Sequence, residues 1–206
     1  MSKNVLVIGG SYFVGRVFML MAAAGRFTGD FTFHLLNRGR YSLKLPGVTE
    51  HVCNRHDPER LARLLPALDW EAVIDFCAYS PGDIQTLLEA LPGTLRQFIY
   101  ISTCSVYEPH TPSPKKESSP KLERGGDDPG LAYAYNKLLL EKEAFRSCAV
   151  KDAALTILRP SFIYGPFNYA PREPYYFELI LHKKPIPAPT DATGRVNFVY
   201  VKDSAR

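Results

Sequence analysis

The sequence predicts an α/β protein in which helices cover both faces of a doubly wound parallel sheet. Short, continuous apolar runs recur along the chain, and such runs suit strands that are buried on both faces. Stretches with helical periodicity separate the runs, and a glycine-rich turn directly follows the first run. Alternating strands and helices imply right-handed crossovers between parallel strands, and sheets of this kind bind ligands at the carboxyl ends of their strands.

The individual elements follow from the same patterns, taken in chain order. We predict seven strands, at residues 5–8, 33–36, 49–52, 72–76, 97–101, 155–158 and 196–200. The helical stretches between them lie at residues 15–24, 58–65, 83–90 and 131–146. Pro81, Gly82 and Asp83 form a favourable start for the third helix, because proline and an acidic residue suit a first turn.

Two stretches interrupt this order. Residues 108–130 are rich in Pro, Ser, Lys, Glu and Gly and lack an apolar period, which predicts a long surface loop of a kind that is usually functional or disordered. Residues 166–189 are dense in Pro, Tyr and Phe, and we expect them to begin a second lobe or lid that contacts substrate. Beyond the last strand, Asp203 or Ser204 would cap a helix for which no residues remain, so we expect the chain to be a fragment.

Composition and charge exclude several classes of protein. With 206 residues, 46% of them hydrophobic and 22% charged, the chain has the composition of a soluble globular protein, and without a secretory pattern we expect a cytoplasmic location. The longest apolar stretch, 17–24, is far shorter than the roughly twenty residues that a membrane helix needs. The four cysteines lack Cys-x-x-Cys spacing, so we expect reduced thiols and no metal site. The net charge of +4 suits nucleotides, sugar phosphates or RNA without deciding among them.

The glycine-rich turn is the first candidate site. Gly9, Gly10 and Gly15 follow a strand and lead into an amphipathic helix, the context in which free N–H groups and the helix dipole bind a pyrophosphate. The phosphate-binding loop of nucleotide triphosphatases is excluded, because it needs Lys and then Ser or Thr where Arg16 and Val17 stand. A glycine-rich turn without a ligand stays open as the alternative.

The end of the second strand bears on the choice of dinucleotide. An NAD-specific site usually has Asp or Glu there, whereas a nearby Arg accommodates the 2′-phosphate of NADP. Asn37 and Arg38 occupy these positions, which favours NADP over NAD. An arginine at a strand end is also often a solvated surface charge, so this second interpretation stays open.

A tyrosine and a lysine four residues apart form the second candidate site. Tyr133 and Lys137 fall on one face of a predicted helix, and the hydroxyl-rich stretch 100–108 precedes them. A phenol has a pKa of about 10, and a neighbouring ammonium lowers that pKa towards neutrality, which makes the phenol an acid/base. A hydroxyl from the strand end would orient the substrate oxygen. The alternative is a surface Tyr–Lys pair.

Taken together, these motifs resemble the short-chain dehydrogenase/reductase superfamily, in particular its extended branch of NAD-dependent epimerases and dehydratases. The similar segments, in order, are the glycine turn at 7–15, the strand at 73–78, the Ser/Thr element at 101–107, Tyr-x-x-x-Lys at 133–137 and Arg-Pro…Tyr-Gly-Pro at 158–166. The resemblance implies a Rossmann domain at residues 1–165 that binds NAD(P), followed by the beginning of a smaller substrate lobe at 166–206.

The resemblance also implies roles for individual residues. Tyr133 would be the acid/base, Lys137 would tune it and hold the nicotinamide ribose, and the catalytic hydroxyl would be that of Thr103 rather than Ser102 or Ser105. Asn54 occupies the place of an Asp that usually contacts adenine. The implied cofactor-binding residues are Gly9, Ser11, Tyr12, Phe13, Val14, Gly15, Asn37, Arg38, Asn54, Arg55, Phe76, Cys77, Ala78, Lys137, Pro160 and Ser161.

Tyr12 departs from the family pattern, because it stands where the family has its middle glycine. We expect its ring to turn outward or its hydroxyl to meet a phosphate, so that binding survives. The turn, with the Asn-Arg-Gly that follows the second strand, is similar to a subgroup with Gly-Gly-x-Arg-Phe-x-Gly. That subgroup includes chloroplast stem-loop RNA-binding proteins.

Two functions follow as hypotheses. The first is an NAD(P)-dependent epimerase, dehydratase or reductase that acts on a nucleotide sugar or a similar carbinol or carbonyl. The second is an RNA-binding or scaffold protein that retains the fold, supported by the loop cations Lys115, Lys116, Lys121 and Arg124 and weakened by interspersed acidic residues. Related proteins often dimerise through the helices predicted at 83–90 and 131–146, so we also expect a homodimer.

Overall fold

The computed structural model describes residues 2–170, 172–188, 190 and 196–206. Its strands are β1 (Lys3–Ile8), β2 (Phe31–Asn37), β3 (Val48–Val52), β4 (Leu68–Asp75), β5 (Gly93–Leu95), β6 (Gln97–Ile101), β7 (Ala154–Leu158), β8 (Phe162–Tyr164) and β9 (Phe198–Tyr200). Its helices are α1 (Phe13–Ala23), α2 (Pro58–Leu64), α3 (Asp83–Ala90), α4 (Pro129–Val150), α5 (Glu173–Leu181) and α6 (Val201–Ser204).

The first seven strands form one sheet in which every pairing is parallel. Six of them lie in the order β3-β2-β1-β4-β6-β7, and the short β5 pairs with β4. The predicted doubly wound α/β fold is therefore confirmed. β1 and β4 lie at the centre, where the strand order reverses, so the carboxyl end of β1 opens into the crevice in which such sheets bind ligands.

Side chains of successive strand residues point to opposite faces of the sheet, and both faces are buried. Leu6 and Ile8 of β1 belong to a core cluster with residues of α2, α3 and α4. Val5 and Val7 belong to a second cluster with residues of α1 and α6. This explains the continuous apolar character of β1, since a strand covered on both sides has no face for polar residues.

Two buried histidines lie beside Trp70, which belongs to the first cluster. His34 of β2 and His51 of β3 are buried, and His34 Nδ1 lies 3.0 Å from His51 Nε2. The ring of Trp70, the single tryptophan of the chain, meets the His34 ring edge-on at 5.0 Å between centroids. Burial lowers the pKa of both histidines, so the neutral imidazoles suit the apolar surroundings.

The helix ends differ from the predictions for identifiable reasons. Helix α4 begins at Pro129 rather than 131, because the Asp128 carboxylate accepts a hydrogen bond from the Leu131 N–H at 2.8 Å and caps the helix. The helix also continues four residues beyond the predicted end at 146. The prediction that Asp203 or Ser204 precedes a helix is wrong, because both residues lie inside α6, which begins at Val201.

The last predicted strand, 196–200, does not join the main sheet. Its residues Phe198–Tyr200 form β9, which pairs in parallel with β8 in a separate two-stranded sheet. In the stretch predicted as a lobe or lid, 166–189, helix α5 forms, while Pro171 and Pro189 lie outside the described residues. Within the part of the chain that is described, no helix has the length and apolar character needed to cross a membrane.

The long loop predicted at 108–130 is present, and one apolar side chain anchors it. Leu122 is buried against Val106 and Leu138, and its N–H donates to the Val106 carbonyl at 2.9 Å. Lys121 pairs with Tyr107 in a β-bridge at the base of the loop. The loop therefore folds back over the end of β6, next to the start of α4.

Candidate active site

The glycine turn joins β1 to α1 at the carboxyl edge of the sheet. Gly9 has φ +82°, and a Cβ atom there would lie 2.7 Å from the Cys77 Cβ. A Cβ at Gly15 would lie 2.5 Å from the carbonyl oxygen of Gly9. Both positions therefore need glycine, because a side chain would push α1 away from the ends of β1 and β4.

The same turn contains donors that suit a phosphate. The Ser11 hydroxyl oxygen is buried, and it has no hydrogen-bond partner within the described part of the chain. Tyr12 occupies the N-cap of α1 without a capping side-chain hydrogen bond, so the first N–H groups of the helix keep their capacity to bind an anion. A buried hydroxyl without a partner is costly. These residues therefore fit the pyrophosphate of a dinucleotide.

Tyr12 does not fill the turn. Its ring is 44% exposed and meets the Tyr41 ring edge-on, with 5.1 Å between centroids. Desolvation and the contact with Tyr41 raise the pKa of Tyr12, while the charges of Arg40 and Arg38 oppose the rise. The two guanidinium groups therefore lie near the phenol. Phe13 takes up the strain of the turn with φ +38°, a conformation that costs a side-chain-bearing residue about 1 kcal/mol.

The loop after β2 is fixed from within. The side chain of Asn37 donates to the Glu50 carboxylate and accepts from the Gly39 N–H at 2.7 Å. Ser42 donates to the second oxygen of the same carboxylate. The Asn37 amide, predicted to contact the cofactor, is thus engaged in holding the loop. Arg38 is exposed at this edge.

Asn54 and Arg55, both predicted to contact the cofactor, differ in orientation. Asn54 is exposed, and its side-chain oxygen accepts from the His56 N–H at 3.3 Å. Arg55 instead directs its guanidinium into the protein, where Nη2 lies 2.7 Å from Asp75 Oδ2 and donates to the Asp83 carbonyl at 2.8 Å. Burial acts to lower the pKa of Arg55, but the charge of Asp75 and its hydrogen bonds outweigh it and raise the pKa.

The remaining predicted cofactor-binding residues lie in α1 or directly after β4 and β7. The Cys77 N–H donates to Asp75 Oδ1 at 2.9 Å, and burial raises the pKa of the Cys77 thiol to about 12. The Pro160 carbonyl accepts from the Cys104 N–H at 3.0 Å, which ties the end of β7 to the end of β6. The others, in chain order, are Val14, which is buried in α1, Phe76, whose ring contacts that of Phe18, Ala78, which is fully buried, and Ser161, which is half-buried.

Lys137 is held by the ends of β4 and β6. Its ammonium donates to the carbonyl oxygens of Ala78 at 2.9 Å and Ile101 at 2.6 Å, and it lies 4.4 Å from the centre of the Tyr100 ring. The residue is only 2% exposed. Burial lowers the pKa of Lys137 to about 8, against the charge of Asp75, which acts to raise it.

Tyr133 lies one turn earlier on α4 and is 42% exposed. Its pKa is raised, first by partial burial and then by Tyr169, whereas the charge of Arg172 and the Thr103 hydroxyl act to lower it. The direction is thus opposite to the lowered pKa that the sequence predicts for Tyr133. The physical reason is that partial burial disfavours the phenolate, while the Lys137 ammonium donates to strand carbonyls.

The hydroxyls after β6 divide into two roles. Ser102 is buried and donates to Glu141 Oε1 at 2.6 Å, so it is engaged inside the protein. Thr103 caps the short 3₁₀ turn that follows, since its hydroxyl oxygen accepts from the Ser105 N–H at 3.2 Å. Thr103 also acts on the phenol of Tyr133, which places these two hydroxyls together.

Several supporting residues were not predicted from the sequence. Glu141 binds Arg159 through two hydrogen bonds of 2.8 Å, and Arg159 also donates to the Tyr107 hydroxyl at 2.9 Å. Glu141 follows Lys137 by four residues and lies on the same helix face, which is the signal that could have identified it. Asp75 gave no such signal, because its partner Arg55 is twenty residues away in the chain.

One known protein family matches nearly the whole chain. The model of the NAD dependent epimerase/dehydratase family matches residues 5–206. The chain belongs to this family. In this chain the glycine turn follows β1, Thr103 follows β6, and Lys137 donates to carbonyls after β4 and at the end of β6, so all three lie at the carboxyl edge of the parallel sheet.

One relative of the chain is the chloroplast stem-loop binding protein of 41 kDa b from Arabidopsis thaliana. It is 29% identical over 219 residues, and the match covers 98% of this chain and 53% of the relative. The chain thus spans about half the length of the curated relative that it matches. The relative is a chloroplast stem-loop binding protein, the kind of protein that the predicted subgroup includes. The turn motif of that subgroup stays a prediction.

Solved structures share the fold at low identity. A dTDP-glucose 4,6-dehydratase from Streptomyces venezuelae, with NAD and TYD bound, has a TM-score of 0.78 at 22% identity, with 98% of this chain and 70% of that chain covered. A UDP-N-acetylglucosamine 4-epimerase from Methanobrevibacter ruminantium M1, in complex with UDP-N-acetylmuramic acid, has a TM-score of 0.76 at 19% identity, with 99% and 71% covered. At these identities the comparison establishes the fold alone.

Proposed function

We propose that the chain contains the cofactor-binding part of an NAD(P)-dependent oxidoreductase of the epimerase/dehydratase type, acting on a nucleotide sugar. The observation that carries the proposal is the position of Tyr133 and Lys137 on one face of α4, with Lys137 held by two strand ends and Thr103 beside the phenol. The substrate class is inferred from the dehydratase and the epimerase that share the fold. We retain the division into residues 1–165 and 166–206 as part of the proposal.

The residues at the carboxyl edge of the sheet would have separate roles in an acid/base reaction. Thr103 would orient the reacting oxygen of the substrate, and Tyr133 would take or return its proton. The Lys137 ammonium has three N–H donors and uses two of them on strand carbonyls, which leaves the third for a ribose hydroxyl. The bound nicotinamide would supply the hydride acceptor and donor.

The cofactor would lie along the carboxyl edge of the sheet. Ser11 and the N-terminus of α1 would bind the pyrophosphate, because both present donors without a partner in the described chain. Arg38 and Arg40, which both act on the Tyr12 hydroxyl, would bind the 2′-phosphate of NADP. We therefore propose NADP over NAD, with Asn37 holding the loop rather than reading the ribose.

The RNA-binding or scaffold alternative rests on the loop cations Lys115, Lys116, Lys121 and Arg124, two of which donate to carbonyls of the same loop. The Lys115 ammonium donates to the Glu108 carbonyl at 2.9 Å, and the Lys121 ammonium donates to the Glu117 carbonyl at 3.2 Å. Both groups thus stabilise the loop that contains them. We place the enzymatic function first for this reason.

Calorimetric titration with NAD, NADH, NADP and NADPH tests the proposal. We expect micromolar binding, tightest for the NADP forms, and similar binding by a Tyr12→Gly variant, because the Tyr12 ring lies outside the turn. Binding by the variant alone would show that Tyr12 closes the site. If neither protein binds a dinucleotide and the wild type binds RNA with steep salt dependence, the alternative function replaces the proposal.

A further inference from the structure

The loop between β8 and α5 lies against the glycine turn. We call Phe167, Asn168 and Tyr169 the aromatic strap. The Phe167 ring lies 4.3 Å from the guanidinium carbon of Arg16 in the first turn of α1. The Tyr169 ring meets the Phe13 ring edge-on, with 6.3 Å between centroids and an interplanar angle of 88°. The strap therefore touches the end of α1 where a pyrophosphate would bind.

The other side of Tyr169 faces the acid/base. Tyr79 and Tyr133 have their ring centroids 6.4 Å apart. The Tyr169 hydroxyl is close enough to both phenols to raise the pKa of each. Tyr169 thus contacts the glycine turn at Phe13 and acts on the phenols of Tyr79 and Tyr133, so it stands between the two places that a bound dinucleotide has to join.

The strap has its own internal frame. The Glu173 carboxylate accepts from the Gly165 N–H at 2.7 Å and from the Asn168 side chain at 3.2 Å. The Asn168 oxygen in turn accepts from the Ala170 N–H at 3.1 Å. Phe167 is held at φ +65°, a conformation that side-chain-bearing residues rarely adopt. Because these contacts join the strap to Gly165, Ala170 and Glu173, and none of them involves α1, they can persist when the strap leaves α1.

We propose that the aromatic strap is a gate that closes the nicotinamide half of the cofactor groove, so that Tyr169 must swing away before a dinucleotide binds. The inference rests on the proposed function, since it requires a dinucleotide that runs from the glycine turn to Tyr133. Tyr169 is 69% exposed while its ring rests edge-on against that of Phe13, so the outer side of the ring is open to solvent. The chain thus competes with its own cofactor.

A gate of this kind lowers the apparent affinity by the fraction of molecules in which it is open. A single edge-on aromatic contact shifts such an equilibrium by roughly three- to tenfold. Removing the Tyr169 ring should therefore raise the affinity for a full dinucleotide by about this factor. A nucleotide that lacks the nicotinamide half, such as 2′,5′-ADP, ends at its 5′-phosphate and does not extend past Tyr169 towards Tyr133, so it should not sense the gate.

The test compares wild type, Tyr169→Ala and the matched control Tyr176→Ala. Tyr176 lies in α5 and is exposed. Its ring contacts the Tyr175 ring rather than the glycine turn. The dissociation constants of NADPH and 2′,5′-ADP are measured by calorimetry, and near-ultraviolet circular dichroism verifies that each variant folds. We expect Tyr169→Ala to bind NADPH about three- to tenfold more tightly and 2′,5′-ADP unchanged, with Tyr176→Ala equal to wild type.

The outcomes separate the two proposals. Equal or weaker NADPH binding by Tyr169→Ala, with 2′,5′-ADP still bound, overturns the gate and leaves the proposed function standing. Tighter binding of both ligands also overturns the gate, because the effect then does not concern the nicotinamide half. Absence of binding of either ligand by all three proteins overturns the proposed function and the gate with it.

Discussion

At the scale of single residues, the buried ammonium of Lys137 sets a pH dependence of stability. Burial lowers its pKa in the folded chain to about 8, from the ordinary value of 10.5. Between these two values the unfolded chain binds more protons than the folded chain does. The free energy of unfolding therefore rises with pH in this window, and below it the folded state bears the cost of a buried charge.

We predict that this pH-dependent rise in the free energy of unfolding disappears in Lys137→Met, because the methionine side chain fills similar space without a titratable group. Relative to the variant, the wild-type free energy of unfolding should increase by about 2 kcal/mol between roughly pH 7.5 and pH 9.5. Urea denaturation of both proteins at the two pH values measures the difference. A difference that stays constant with pH would contradict the lowered pKa.

A second residue, Arg38, sets the choice of dinucleotide under the proposed function. A guanidinium on a phosphate makes a charge-assisted hydrogen bond, so Arg38→Ala should weaken NADPH binding by about tenfold and change NADH binding by less than about twofold. Arg63→Ala is the control, because Arg63 is an exposed arginine in the last turn of α2. Equal losses for NADPH and NADH in fluorescence titrations would show that Arg38 does not read the 2′-phosphate.

At the scale of elements, α3 depends on α4 for its cap. Gly82 precedes α3 and offers no capping side chain, and the Glu143 carboxylate of α4 accepts instead from the N–H groups of Gly82 at 2.7 Å, Ile84 at 2.9 Å and Gln85 at 2.7 Å. The carboxylate is buried and lies at the positive end of the helix dipole. The two helices are thereby joined by polar contacts as well as by packing.

Replacing this cap should be costly. We predict that Glu143→Ala lowers the free energy of unfolding by about 2–3 kcal/mol, because buried N–H groups lose hydrogen bonds to a charged acceptor. The exposed neighbour Lys142, changed to Ala, should cost less than about 0.5 kcal/mol. Thermal and urea denaturation measure both. A similar small effect for the two variants would mean that water replaces the carboxylate at the start of α3.

At the scale of the whole molecule, α3 and α4 pack side by side on one face of the sheet and are the helices through which we propose that the chain dimerises. A pair of helices from each of two copies would form a four-helix interface. Light scattering at micromolar concentration should then give twice the chain mass of 23.1 kDa. A mass equal to one chain at the same concentration would contradict this proposal.

The sequence predicts the central sheet well because most of its main strands contain an apolar run, and β6 is predicted without error at either end. It predicts short strands poorly, since the three residues of β5 or β8 show no period. Contacts between distant residues are the other limit. Lys137 finds its carbonyl partners 59 and 36 residues away in the chain, so sequence spacing alone places it beside Tyr133 but does not show where its ammonium points.

The single tryptophan gives the protein a built-in optical probe. Trp70 is buried near the start of β4. It lies five residues before Asp75, at the carboxyl end of the strand, so about 16 Å of strand separates Trp70 from the proposed active site. Its emission should therefore report unfolding of the core while remaining blind to changes at Tyr12, Tyr133 or Tyr169. Because the indole lies against His34, acidification that protonates the buried imidazoles should dim this emission.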